Sequence, residues 1–307
     1  MCIRDRIYSV QRQNRTANPL FFRQVLTYNI YMKRIYTFGH EQVERNITVG
    51  DIIENKNNNL KMTQVTAANQ EEAEIIASQE IDMIITGSDW YQDVRKGAPN
   101  TFITAALFAG RFITHEEILR GAFDVMMAGA DSVLTPRSFD VVEMLAKEGM
   151  QVQGHVGMVP SMATKYGGIR TVGKTADEAV AILKDMKRLE DAGAFGAEVE
   201  CVAEDALIEI KKHTSLVINS LGSGSGGDVM FLFFEDICGE TTGIKMPRHA
   251  KSWGDGKQIK RQLNEERSKA IQGFKTEVDN NTYPDKEHII EMLPGQKDQL
   301  LEQLDKM

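Results

Sequence analysis

Long apolar runs are missing from this 307-residue chain. The best stretches, Val229 to Phe234 and Met83 to Ile85, fall far short of the ~18 residues that a membrane span needs, which argues against membrane insertion. Cysteine is scarce. Cys2, Cys201 and Cys238 show no Cys-x-x-Cys or metal-binding spacing, so the thiols are expected to be reduced and the protein cytoplasmic. Basic excess is absent too. Lys+Arg number 36 against 44 Asp+Glu, a net charge of −8, and a chain without a basic face is a poor prior for nucleic acid as a partner. What remains is ordinary globular usage, with 42% apolar and 26% charged residues, enough to build a full core at this length.

The N-terminus stands apart. Residues 1–34 hold seven basic residues and one acid. An Arg-rich, acid-poor leader resembles a targeting segment, but the opening Met-Cys-Ile-Arg-Asp-Arg looks more like translated adapter sequence, with Met32 as the true start. Residues 1–31 are therefore expected to be a non-native or targeting extension without order.

From residue 60 onward, short apolar runs alternate with helical patterns. Strands are expected at Lys61–Thr66, Asp82–Thr86, Phe102–Leu107, Ser132–Leu134, Gln151–Gly154, Ala197–Cys201 and Ser215–Asn219. Val229–Phe234 fits either a strand or a buried helix. Asn69 and Ser138 are expected N-caps. Thr114 with Glu117 and Thr175 with Glu178 have the spacing of capping boxes. Lys257–Val278 reads as a charged surface helix and Gln296–Lys306 as a short amphipathic one. Seven or eight β–α alternations without an internal repeat or a nucleotide fingerprint point to a (β/α)8 barrel. The expected layout is one barrel domain over residues 32–290 and a helical tail over 291–307.

A barrel places its chemistry at the C-terminal ends of the strands. Those ends carry Gly87-Ser88-Asp89, Ala106, Leu134, Gly154-His155, Glu200 and Asn219-Ser220. A histidine and a glutamate on neighbouring strand ends can act as polariser and general acid/base; a structural ion pair would leave the same trace. Arg111 and Arg170 are candidates for a substrate carboxylate, or else solvated surface arginines. The loop Gly222–Asp228 reads as an anion cradle or a plain loop, and lacks the Lys-Ser/Thr of a P-loop.

Several motifs then align in order. Gly154-His155-Val156-Gly157-Met158-Val159-Pro160-Ser161 resembles the Gly-His-(Leu/Val)-Gly-Leu-Thr-Pro-Gln signature of ketopantoate hydroxymethyltransferases. Arg95-Lys96-Gly97-Ala98-Pro99, Gly167-Gly168-Ile169-Arg170, Glu190-Asp191-Ala192-Gly193-Ala194, Glu198-Val199-Glu200-Cys201-Val202, Pro247-Arg248-His249-Ala250-Lys251 and Tyr283-Pro284 resemble further family motifs, over roughly residues 60–290. The resemblance implies a barrel related to phosphoenolpyruvate mutase and isocitrate lyase. It implies transfer of a hydroxymethyl group from methylenetetrahydrofolate to the 2-oxo acid 3-methyl-2-oxobutanoate, in pantothenate biosynthesis, with Mg2+ bound and a homo-oligomer formed. It implies Glu200 as the catalytic acid/base, His155, Ser88 and Asp89 at the substrate, and Asp89 at the metal. Three positions depart from the family pattern. Its Gly-Asp-Ser is inverted to Gly87-Ser88-Asp89, its second metal-linked Asp is Ala106, and its Lys-x-Glu is replaced by Leu134 and Pro136. About twenty residues before Arg95, covering the second crossover helix, are also missing. The alternatives are a related barrel enzyme acting on another 2-oxo acid, of C–C lyase or mutase type, and a non-catalytic paralogue.

Overall fold

Burial on both faces sets the pattern of the central strands. In a barrel wall, alternate residues point to the axis and the rest to the helices. The computed structural model describes residues 32–108, 110–242 and 246–307, so the expected extension 1–31 lies outside the described residues. Eight parallel strands close in the order β10-β3-β4-β5-β6-β7-β8-β9. They are β3 (Met62–Thr66), β4 (Met83–Gly87), β5 (Phe102–Ala106), β6 (Ser132–Leu134), β7 (Val152–Gly157), β8 (Gly196–Glu200), β9 (Val217–Leu221) and β10 (Val229–Leu232). The ambiguous run after residue 229 is thus a strand, whose pairing with both β9 and β3 closes the barrel.

The helices are α2 (Gln70–Ser78), α3 (Tyr91–Gly97), α4 (His115–Met127), α5 (Phe139–Lys147), α6 (Ala176–Asp191) and α7 (Glu204–Lys211). Asn69 caps α2 by accepting from the Glu72 amide, and Thr114 forms a full capping box with Glu117. At α6 only half the expected box forms: Thr175 accepts from the Glu178 amide, while the Glu178 carboxylate turns to Arg170 and the Lys174 amide. Ser138 sits at the cap of α5, but its side chain makes no capping bond. The expected gap in the second crossover is filled by the seven-residue α3, which buries Tyr91 and Val94 and presses so close to α2 that a Cβ on Gly97 would lie 2.2 Å from the Gln70 carbonyl oxygen.

Before the barrel come a hairpin, β1 (Lys33–Tyr36) with β2 (Gln42–Arg45), and helix α1 (Val49–Asn57). Ile52 of α1 and Ile47 join Met62, Met83, Phe102, Val217 and Val229 in one apolar cluster that fills the N-terminal end of the barrel. Arg95 and Arg45 grip the buried Asp131 at 2.7 and 2.6 Å. The Arg95 motif therefore ties crossovers together.

The compact unit holding the barrel runs to Ile237 and includes Met246–Lys251. It ends earlier than the expected boundary at 290, because β10 completes the wall at Leu232 and no later strand exists among the described residues. Phe234 and Ile237, on α8 (Phe234–Cys238), pack on the outer core. A second unit, Cys238–Lys245 with Ser252–Met307, contains α9 (Gly256–Asp279) and α10 (Gln296–Leu304). No described helix is long and apolar enough to cross a membrane.

Candidate active site

Strand alternation and register fix what the barrel interior contains. Above the apolar floor lies a polar layer. Gln153 Nε2 donates to Thr104 Oγ1 at 3.1 Å, Asn219 donates to Gln153 Oε1, and Thr104 and Ser132 share a hydrogen bond of 2.8 Å. Gln64 is inward on β3, since its neighbour Met62 belongs to the floor and Val65 to the outer core. Its carboxamide is 1% exposed and neither end has a partner. Asn219 Oδ1 is likewise unpaired.

Towards the C-terminal mouth the interior becomes two-sided. Ile85, Ala106, Leu134, Leu221 and Phe231 form one apolar cluster with Phe233 against it. From β7 and β8 come His155, Glu198 and Glu200. Register pairs His155 with Glu198 and Gly157 with Glu200, and the two-residue spacing puts both carboxylates on the same face. His155 Nε2 lies 3.1 Å from Glu200 Oε2 and 3.7 Å from Glu198 Oε1. Gly157, at φ +90°, lets the two strand ends approach: a Cβ there would lie 2.4 Å from the Glu200 carbonyl oxygen. Just beyond, Cys201 takes a left-handed φ of +49°, a conformation uncommon outside glycine.

The electrostatics follow from burial beside opposite charge. Burial alone pushes the His155 imidazole down, but its hydrogen bond to Glu200 and the charges of Glu198 and Glu200 outweigh that and raise its pKa. Burial raises the Glu198 carboxyl, with His155 opposing and Glu200 adding to the rise. Both shifts run in the same direction, towards the protonated form, in a water-poor site.

Two of the expected site residues are thus brought together, His155 and Glu200. Glu198 joins them, and its signal was its place two residues before Glu200 on one strand. Ser88 and Asp89 sit at the end of β4, on another part of the mouth. The Ser88 amide donates to the Ala106 carbonyl at 3.0 Å, and its buried hydroxyl has no partner. Asp89 is 43% exposed and ion-paired with Arg111. Arg170 is occupied by Glu178. In the Gly222–Asp228 loop the described donors are engaged within the chain. The Ser225 amide and hydroxyl both donate to Glu204 Oε1, and Lys61 donates to the Ser225 and Gly227 carbonyls.

Mg2+ at the position implied by the family resemblance finds no matching donor set. Asp89 is neutralised by Arg111, Ala106 and Leu134 belong to the apolar wall, and Pro136 offers no side-chain ligand. The Phe108 ring fills the space before Gly87, where a Cβ would lie 2.6 Å from Phe108 Cε2. A hard cation needs several oxygens at such a site.

Fold and site together define a (β/α)8 barrel with a histidine–glutamate cluster at the strand ends, where barrel enzymes carry their chemistry. Comparison with known proteins narrows the class. The ketopantoate hydroxymethyltransferase family model matches residues 88–286. A 3-methyl-2-oxobutanoate hydroxymethyltransferase of Francisella tularensis subsp. tularensis (strain FSC 198) is 28% identical over 256 residues, 74% of this chain and 93% of the relative. One from Cenarchaeum symbiosum (strain A) is 33% identical over 187 residues, 60% of this chain and 68% of the relative. Among solved structures, a putative phosphonomutase from Burkholderia cenocepacia J2315 aligns with a TM-score of 0.50 at 11% identity, over 60% of this chain and 92% of its own, a likeness of fold. The chain belongs to the ketopantoate hydroxymethyltransferase family.

Proposed function

We propose that this chain transfers a hydroxymethyl group from methylenetetrahydrofolate to a 2-oxo acid, with 3-methyl-2-oxobutanoate as substrate. The observation that carries the reading is the hydrogen bond from β7 to β8 between His155 and Glu200, at the catalytic end of the barrel. Glu200 takes the proton from the carbon beside the ketone and leaves an enolate. The enolate carbon attacks the one-carbon unit, tetrahydrofolate leaves, and water supplies the hydroxyl oxygen. His155 holds Glu200 in place and offers positive charge to the developing oxyanion. Ser88, with its unpaired hydroxyl, and Asp89 are the proposed substrate contacts on the β4 side. Asp89, the one carboxylate left of the family's Mg2+ ligands, is paired with Arg111, so proton transfer and oxyanion binding fall to the chain's own side chains.

A cytoplasmic homo-oligomer is part of this reading. Supporting self-association, α9 exposes Ile259, Leu263, Ile271 and Phe274, and exposed apolar patches mark contact surfaces.

The test is deuterium exchange into C3 of 3-methyl-2-oxobutanoate, followed by NMR. The wild-type protein is expected to exchange, and Glu200→Gln to slow it by roughly 10²–10⁴-fold, the usual worth of a general base. A wild-type protein that does not exchange overturns the reading. The apolar residues at the family's metal positions would then favour a barrel acting on another 2-oxo acid, or one that no longer catalyses.

A further inference from the structure

We infer that His155, Glu198 and Glu200 form a binding site for a divalent transition-metal ion of the Mn2+, Co2+ or Zn2+ type. The inference does not rest on hydroxymethyl transfer. It starts from three ligand atoms, one from each residue, that lie within 4.8 Å of one another on two adjacent strands. Ligand atoms each ~2.0–2.2 Å from one ion sit about 3.0 Å apart at octahedral angles and about 3.4 Å at tetrahedral ones. The observed separations from His155 Nε2, 3.1 and 3.7 Å, lie within a few tenths of an ångström of those spans, and the two carboxylates close on an ion by side-chain rotation.

Charge points the same way. Two carboxylates are buried against a single imidazole, and one imidazolium neutralises only one of them. Buried charge that is not matched costs several kcal/mol. A divalent cation matches both carboxylates at once.

A second, independent observation lies beside the cluster. The barrel register pairs Asn219 directly with Glu198 on the neighbouring strand, and Gln64 on β3 faces the same axis. Gln64 Oε1 and Nε2 and Asn219 Oδ1 are all buried without partners. Buried polar groups seldom go unpaired. Water held on an ion at the cluster would give the two carboxamide oxygens a donor.

The donor chemistry selects the class of ion. One imidazole and two carboxylates suit borderline transition metals, whereas Mg2+ prefers all-oxygen surroundings.

The experiment strips the full-length protein with a chelator and titrates it with Co2+ alone, reading the visible d–d absorption. The expected result is one ion per chain, with Glu198→Gln and His155→Gln each binding more than about tenfold more weakly and Asp89→Asn unchanged. Because a core variant can misfold, the unmodified protein is also loaded with Mn2+ and examined by pulsed EPR. A 14N coupling from a coordinated imidazole is expected. Absence of any d–d band at saturating Co2+, loss of binding in Asp89→Asn alone, or Mn2+ without nitrogen coupling each overturns the inference. None of these readouts uses turnover, so failure here leaves the enolisation test untouched, and the reverse also holds.

Discussion

Glu190 shows how one side chain can organise a chain reversal. It ends α6 and accepts from Thr214 Oγ1 at 2.6 Å, from the Ser215 hydroxyl at 3.0 Å and from the Ser215 amide, while Lys187 pairs with its other oxygen at 2.7 Å. Burial opposes its charge, but the bonds from Lys187, Thr214 and Ser215 win and bring its pKa from 4.5 down to about 2. A depressed carboxyl pKa stabilises the fold above the unfolded value and loses that contribution as pH falls through the folded one. Stability is therefore expected to drop between about pH 4.5 and 2, and Glu190→Gln to flatten that part of the profile. The Glu190 side chain is 15% exposed but its Lys187 partner is half solvated, so the effect is on the order of 1 kcal/mol after screening. Urea denaturation of the two proteins across that range checks it. At the same scale, the meeting of Glu200 and His155 was legible because charged and imidazole side chains are uncommon among the apolar residues of barrel strands. Glu198 was less so, since a second glutamate in a charged chain carries no mark of its own until strand alternation is applied.

Among the elements, the strands were legible because β-branched and other apolar residues fill both faces of a parallel barrel. Observed strand ends differ from the expected ones by up to three residues, at β7. The N-terminal hairpin and α1 were not legible. β1 reads Lys-Arg-Ile-Tyr and β2 Gln-Val-Glu-Arg, too short and polar to show a period. α1 is capped by Thr48 with Asp51 in place of the usual Glu or Gln, and ends in an asparagine run. The short α3 escaped for a similar reason: its N-cap is Trp90 and no side chain caps it. Its packing shows instead in Gly97. Gly97→Ala is expected to cost about 1–3 kcal/mol, the usual penalty for overfilling a close contact, because the nearest atom is the rigid Gln70 carbonyl oxygen. Thermal unfolding checks this, and an unchanged midpoint would show that α2 and α3 can part without cost.

For the whole molecule, the order of motifs led to the family. Composition could not show where the barrel unit ends, because α9 is as helical and charged in sequence as a barrel helix. The difference lies in packing: every residue of α9 after Gly256 is exposed. Sedimentation equilibrium is expected to give a mass above the 34.4 kDa of one chain. Ile271→Glu with Phe274→Glu is expected to lower it towards that value, and a wild-type monomer would remove the case for a homo-oligomer.

The closing strand has a further consequence, for the order of folding. β10 follows β9 after only the Gly222–Asp228 link, yet it must also find β3, and the latch between them joins Lys56 to Asp228, 172 residues away in sequence. Each other neighbouring pair of barrel strands follows directly along the chain. The β10–β3 seam therefore closes the longest loop in the sheet and bears the largest entropy cost. The ion pairs of the buried Asp228 with Lys56 and Lys211 sit beside that seam, so its closure is expected to be a late step of folding whose rate depends on one carboxylate and two lysines.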